Sequence, residues 1–407
     1  MIDQLKILLF IFICAGSTFS AKGQQSPEKL LDFQVPYFTW GKGIGITSPD
    51  SAFTLNIRFR MQNRFGFNTV SGTDLTVNEV EARVRRLRLR FDGYLYNPRL
   101  TYVLQLSFSR GDIDFEDTGF PNVVRDAMLI YNFNKHFAFG IGQTKLPGNR
   151  QRVVSSGDLQ LPDRSIVNSI FNVDRDFGIQ SYYRNQISGF HFVLRGSVSS
   201  GDGRNFNTAQ RGLAYTGRVE LLPLGQFQNS GDYFEGDLSR EPKPKVSAGL
   251  TWSNNENAIR TGGQLGKFLF QSRDIETFMA DFLLKYRGFA FSSEFLNRMV
   301  TNPITTDPDD DTNVRYVYDG HGENYQASYL FRKDYEYVNR YSRVRPGPSI
   351  RTLEPQVQQF TLGLNKYLRG HRVKLQTEFT YELRSWMNDT AADLDSWLWR
   401  FQIEAGI

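Results

Sequence analysis

Arginines of one strand parity crowd two neighbouring stretches of the chain, Arg58, Arg60 and Arg64 in the first and Arg86, Arg88 and Arg90 in the second. Residues i, i+2 and i+4 of an extended strand project from one face, so each set forms a column of guanidinium groups. A guanidinium is a planar fork of N–H donors that matches phosphate or carboxylate oxygens two at a time. Like charges directly opposite each other on adjacent strands repel, so two such columns need water or anions beside them. Rings and columns of Arg or Lys are the lining that anion and phosphate pores use. The expected anion path comprises Arg58, Arg60, Arg86, Arg88 and Arg90, joined by Arg150 and Arg152 from the segment 147–175. A second reading stays open at this point, in which each arginine pairs with a carboxylate of the same face and only braces a wall.

Whatever positions these columns must keep one face wet. The stretch 397–407 shows how: Trp397, Trp399, Phe401, Ile403, Ala405 and Ile407 alternate with Leu398, Arg400, Gln402, Glu404 and Gly406. Such alternation marks a strand with one apolar and one polar face. Sixteen segments of this kind can be read, at 53–65, 80–95, 100–108, 123–133, 136–146, 176–184, 189–199, 211–222, 244–253, 276–287, 288–298, 322–332, 334–345, 357–367, 371–382 and 396–407. Links from odd to even segments are long, and most links from even to odd ones are tight turns such as Asn134-Lys135 and Arg287-Gly288. Outer-membrane barrels have long external loops, short periplasmic turns and an even strand number. The fold class expected is all-β, a sixteen-stranded antiparallel transmembrane β-barrel. A soluble sandwich also alternates, but it has no need of alternating loop lengths. The mean hydropathy of −0.43 does not argue against a membrane, because only every second barrel residue meets lipid.

The polar faces of these segments carry sixteen Arg and Lys, among them Arg195, Arg218, Lys285, Arg298, Lys374 and Arg400, against nine Asp and Glu. A basic lumen follows. In the second segment Val80, Ala82 and Val84 are out of phase with Leu87, Leu89 and Phe91, which predicts a bulge near Arg85-Arg86. The link 147–175 adds Arg164, Arg175, Asp158 and Asp163, and it either folds into the lumen or lies on the surface. The link 223–243 breaks the rule, being long where a short periplasmic turn is expected.

The first residues give one lysine at position 6, an apolar run from Ile7 to Ala15 and small residues up to Gly23, the pattern of an export signal. The domains expected are therefore a signal peptide at 1–23, a periplasmic segment at 24–52 and a barrel at 53–407. Cys14, the only cysteine, lies inside the signal, so the mature chain would lack disulfides and thiol chemistry. The four histidines make no metal pair, and Asp307, Asp309 and Asp311 have the start of a calcium loop without its glycine or closing glutamate. No catalytic residue, metal or cofactor is expected, nor any nucleic-acid partner. A non-selective structural barrel and a barrel hydrolase are the rival functions.

Five stretches then carry a resemblance: FAFGIGQTKLPGNRQ (137–151), GDYFEGDLSREPKPK (231–245), GHGENYQASYLF (320–331), YEYVNRYSRV (335–344) and FTLGLNKYLRGHRVKLQTEFTY (360–381). Together they resemble the phosphate-selective porin family of Gram-negative outer membranes. The resemblance implies a sixteen-stranded barrel, a homotrimer, a loop folded inward after the fifth strand, and uptake of phosphate, polyphosphate or related anions along an arginine ladder. Arg86, Arg88 and Arg90 match the ladder-bearing strand, and the 231–245 motif accounts for the long periplasmic link. Outer-membrane lipid and lipopolysaccharide would be the surroundings. One departure is Ile407, where the family ends on an aromatic residue.

Overall fold

The computed structural model describes residues 37–39, 43–109, 123–206, 212–386 and 394–407. The expected signal at 1–23 lies outside them. Sixteen strands form the wall: β1 (Thr54–Thr69), β2 (Val77–Leu95), β3 (Asn97–Ser107), β4 (Val124–Asn132), β5 (Phe137–Lys145), β6 (Arg175–Ile187), β7 (Phe190–Ser199), β8 (Ala214–Leu222), β9 (Lys245–Arg260), β10 (Phe268–Tyr286), β11 (Phe289–Met299), β12 (Gly320–Leu330), β13 (Tyr335–Pro346), β14 (Gln356–Arg369), β15 (Val373–Ser385) and β16 (Leu394–Gly406). Each pairs antiparallel with the next, and β16 closes on β1 with Leu398 opposite Asn68 and Gly406 opposite Arg60. Closure leaves none of the sixteen wall strands at an edge, so their described backbone groups are paired within the wall, as a hydrocarbon surrounding demands. Before β1, the pair Tyr37–Thr39 and Gly43–Thr47 adds to its first residues, Ile44 lying opposite Ile57.

Alternation sets which side chains face out. On β16 and β15 the outward Trp397, Ile403 and Phe379 are exposed, while Gln402, Glu404, Gln376 and Glu378 between them are buried inside. The bulge falls where the phase change predicts it: Gln62 opposes Arg86 but Asn63 opposes Val84, leaving Arg85 as the extra residue. Tight turns close the periplasmic end. Ser188-Gly189 and Arg287-Gly288 both carry positive φ at their two central residues, the requirement of a type I′ hairpin whose twist suits the strands.

One expectation needs correction. The link read as 254–275 is only 261–267, because β9 and β10 run on past the segments 244–253 and 276–287. Those extensions carry Asn254, Asn255, Glu256 and Asn257 and bulges between Asn255 and Arg260, so their alternation is lost. Where both faces of a strand are wet, nothing enforces an apolar side. The link 299–321 likewise holds a small hairpin of Ile304–Asp307 and Asp310–Tyr316. At its tip the Asp307 carboxylate accepts from the Asp309 N–H (3.1 Å) and Asn313 Nδ2 (2.9 Å), bonds internal to the turn.

Candidate functional site

The lumen is organised by the link between β5 and β6, which folds inward. It holds two short helices, α1 (Arg150–Val153) and α2 (Ile166–Phe171). Val167 and Phe171 of α2 pack with Leu146 and Val173 onto Met279, Leu296 and Val344, apolar residues on the inner wall of β10, β11 and β13. An apolar patch on a wetted face is costly unless something covers it, and this loop does. Polar bonds fix the rest. Arg298 donates to the carbonyls of Ile170 (3.1 Å) and Asn172 (3.2 Å). Glu294 accepts from the Gln151 N–H (2.7 Å) and Asn149 Nδ2 (2.9 Å). Lys374 Nζ donates to Gly157 O (3.0 Å) and Leu159 O (2.6 Å).

The long periplasmic link 223–244 enters from the opposite end and meets this loop. Lys285 Nζ donates to Gly231 O (2.6 Å) and Phe234 O (2.7 Å), and the Glu235 N–H donates to Asp158 O (2.9 Å). The Glu235 carboxylate accepts from the Gln160 N–H (2.8 Å) and Gln151 Nε2 (3.1 Å). Two inserted segments thus fill the half of the barrel bounded by β8–β15.

What stays open runs along the wall of β1–β6 and, in its upper part, past β13–β16, where Arg340, Gln359, Thr380 and Arg400 line it. An external vestibule of about 910 Å3 is lined by Arg85, Arg86, Arg88, Arg125, Arg152 and Arg175 among others, with Glu79, Glu81, Asp163, Asp174 and Glu382 as acids. Below it a chamber of about 240 Å3 is lined by Arg88, Arg90, Asp126, Ser155 and Tyr182. Four residues border both spaces: Arg88, Lys145, Ser156 and Arg175. They mark the constriction, where the loop's Ser156 Oγ accepts from Arg88 Nη1 (2.8 Å) and from Arg60 Nη2 (2.8 Å).

The columns oppose each other as the parity requires, Arg58 facing Arg90, Arg60 facing Arg88 and Gln62 facing Arg86. Arg58 and Arg90 share the Asp92 carboxylate, at 3.1 Å from Arg90 Nε. Arg60 also lies 3.9 Å from Glu404. Arg86 donates to Gln62 Oε1 (2.7 Å) and stands 3.4 Å from Asp163. Asp163 gathers Arg64 (2.6 Å), Arg85 (3.2 Å) and Arg400 (3.5 Å) as well. Burial would raise this loop carboxyl, but the guanidinium groups of Arg64, Arg85 and Arg86 hold it well below the usual carboxylate range. Bracing and anion lining therefore occur in one column.

The two loop arginines part company. Arg152 lines the vestibule beside Asp174. Arg150 is turned to the other wall: its Nε reaches Asp281 at 3.1 Å, Nη1 donates to Asp232 O (3.1 Å) and Nη2 to Ser247 Oγ (2.8 Å). There Asp281 also holds Arg218 at 2.6 Å, with Glu220 at 2.7 Å from that arginine and no solvent access to any of the three side chains. Removing one member leaves buried charges uncompensated, a loss of ~3–5 kcal/mol. Asp281→Ala should accordingly lower the barrel's unfolding temperature in detergent by far more than Asp309→Ala in the exposed hairpin. Equal shifts would show that the cluster is not an anchor.

Reading by parity missed Arg83 and Arg85, because the bulge moves them onto the vestibule. Lys145 and Arg175, the last residue of β5 and the first of β6, flank the inward loop. Lys145 Nζ donates to the carbonyls of Arg152 (2.9 Å) and Val154 (3.1 Å), and Arg175 Nε to Asp126 (2.9 Å).

Residues 55–231, which span β1 to β8 and part of the inserted periplasmic link, match the family model of the phosphate-selective porins O and P. Over this stretch, which is less than half of the chain, the protein is similar to the O and P porins. Among curated proteins none is significantly similar to it. Solved outer-membrane proteins share the fold at low identity. The outer-membrane channel DcaP of Acinetobacter baumannii is 11% identical with a TM-score of 0.54, covering 89% of this chain and 99% of its own. Salmonella typhi OmpF, in a complex with daunomycin, is 12% identical with a TM-score of 0.53, over 88% of this chain and 98% of its own. Pseudomonas putida OprB is 9% identical with a TM-score of 0.52, over 88% and 95%. The protein is a porin channel of the outer membrane.

Proposed function

We propose that this porin is an anion-selective passive channel whose solutes are phosphate-like anions. The observation carrying the proposal is the file of arginines through the constriction: Arg85, Arg86 and Arg152 above, Arg88 at the neck beside Arg175, and Arg90 below. Along one strand, inward neighbours are about 6.6–7 Å apart, so an anion leaving one guanidinium meets the next. Conduction needs sites strong enough to enter and weak enough to leave. The partial neutralisation by Asp92 and Asp163 suits that second condition. The reading includes no catalysis, export under the leader at 1–23, a periplasmic N-terminal segment and assembly as a homotrimer.

Competition tests it. Inorganic phosphate added to a chloride-conducting single channel should reduce the chloride current. Arg88→Gln should raise the phosphate concentration for half-block by roughly ten- to a hundredfold, the effect of losing ~1.5–3 kcal/mol in a hydrogen bond to a charged group. A chloride current indifferent to phosphate would favour a general porin whose arginines only brace the wall.

A further inference from the structure

The outer wall departs from its own rule on β11–β14. Elsewhere most outward positions toward the external ends of the strands are apolar or aromatic, as at Phe177, Val198, Phe379 and Trp397, and the outward carboxylates Glu276 and Asp395 are hydrogen-bonded to wall aromatics. On β12 and β13 the corresponding outward residues are His321, Glu323, Arg343 and Arg345, paired as His321 with Arg345 and Glu323 with Arg343. Beside them on β14 the outward residues are Gln356 and Gln358. At about 2.4 Å of height per tilted strand residue, Arg343 stands ~19 Å and Arg345 ~24 Å above Tyr335, at the top of an apolar band ~25 Å tall. A lipid-facing arginine costs roughly 2–4 kcal/mol at the midplane and ~0–1 near an interface. This height is where a guanidinium meets headgroups.

The local partners do not use up these donors. Arg343 Nε (3.2 Å) and Nη2 (2.9 Å) and Arg345 Nε (3.1 Å) all point at one neutral acceptor, Gln356 Oε1. The carboxylate of Glu323 is 3.8 Å from Arg343, and both side chains stay partly exposed, 24% for Arg343 and 31% for Glu323. Two guanidinium groups thus stand against one carboxylate, and the unmet charge is positive. Directly beneath, on the periplasmic side, a groove of about 300 Å3 opens in the same wall. Ala327 is its small residue, and Phe291, Tyr325, Tyr341, Phe360 and Leu362 form its sides. Tyr341 packs at a tilt against Phe360, ring centroids 4.9 Å apart, and Tyr325 stacks near Tyr341 at 6.5 Å, so the groove has aromatic walls.

We infer that this face is a binding site for a phosphorylated, acylated lipid of the outer leaflet, the lipid A part of lipopolysaccharide. Its phosphate takes the Arg343–Arg345 pair and one acyl chain lies in the groove over Ala327. A second copy of the chain fits less well. Two outward carboxylates it could offer, Glu276 and Asp395, are already held by Trp252 Nε1 (2.7 Å) and by the Tyr381 hydroxyl (2.7 Å) with the Gly72 N–H (2.9 Å).

The test uses the full-length protein folded in detergent, with purified lipid A as the probe and native mass spectrometry counting what remains bound. The wild type should retain lipid A at concentrations at least tenfold below those required by Arg343→Gln/Arg345→Gln. Dephosphorylated lipid A should bind the wild type no better than that double variant. Ala327→Trp, which fills the groove and keeps both arginines, should also weaken retention and guards against a folding defect in the first variant. Undiminished lipid A on either folded variant overturns the proposal. So does equal competition by phosphatidylglycerol, or loss of a protomer–protomer assembly in the double variant with lipid retention intact.

Discussion

Replacing Arg86, Arg88 and Arg90 together by Glu should turn the channel's anion preference into a cation preference while the barrel still assembles. The three lie on the inner face of β2, where substitutions tune selectivity and spare the lipid contact. Arg88 should carry most of the effect, because it alone of the three borders both the vestibule and the lower chamber. An ion ~4 Å from a unit charge in water-like surroundings feels about 1 kcal/mol, so reversing one arginine changes its energy by about 2 kcal/mol. That is roughly thirtyfold for each ion, in opposite directions for anion and cation, so the permeability ratio changes by up to roughly a thousandfold per fully effective site. Leu87→Arg and Leu89→Arg on the outward face of the same strand serve as controls, since they should impair insertion and leave the selectivity of surviving channels alone. A triple variant that assembles with an unmoved reversal potential would reduce the column to bracing.

Deleting 152–165 should raise single-channel conductance several-fold and weaken discrimination among solutes. The cut removes Arg152, Ser155, Ser156 and Asp163, the loop's contribution to both the constriction and the arginine cluster. It spares α2, whose Val167 and Phe171 hold the inner apolar patch, and Arg150, which anchors the other end on Asp281. The new junction, Gln151 to Ile166, is short, because the last residues removed already reach Gln151, Arg164 Nε at its carbonyl (2.5 Å) and the Ser165 N–H at its Oε1 (3.0 Å). Conductance unchanged in a folded deletion variant would mean that the loop does not set the bore.

The strand plan was legible because lipid and water enforce opposite preferences on alternate residues, and every one of the sixteen segments has its strand. The bulge at Arg85 was legible for the same reason, as a break in phase on one strand. The ends of β9 and β10 were not, since no alternation survives where both faces are wet. The inward course of 147–175 had a signal that parity alone discards: Met279, Leu296 and Val344 are apolar on the lumenal face and need a cover. The separation of Arg150 from Arg152 had none. Two residues apart in a loop, they face opposite walls because a four-residue helix and a distant carboxylate, Asp281, decide it. Outward charge at Arg343 and Arg345 was overlooked for a related reason, since a lipid face that is clean on most strands invites the assumption that it is clean on all.

The central claim is that the open path prefers anions, and the reversal potential of the wild-type channel tests it most directly. With a tenfold potassium chloride gradient across a planar bilayer, the account predicts a potential on the chloride side, moving toward the ~59 mV limit for a single-charge carrier. A potential at zero, or on the potassium side, would contradict it.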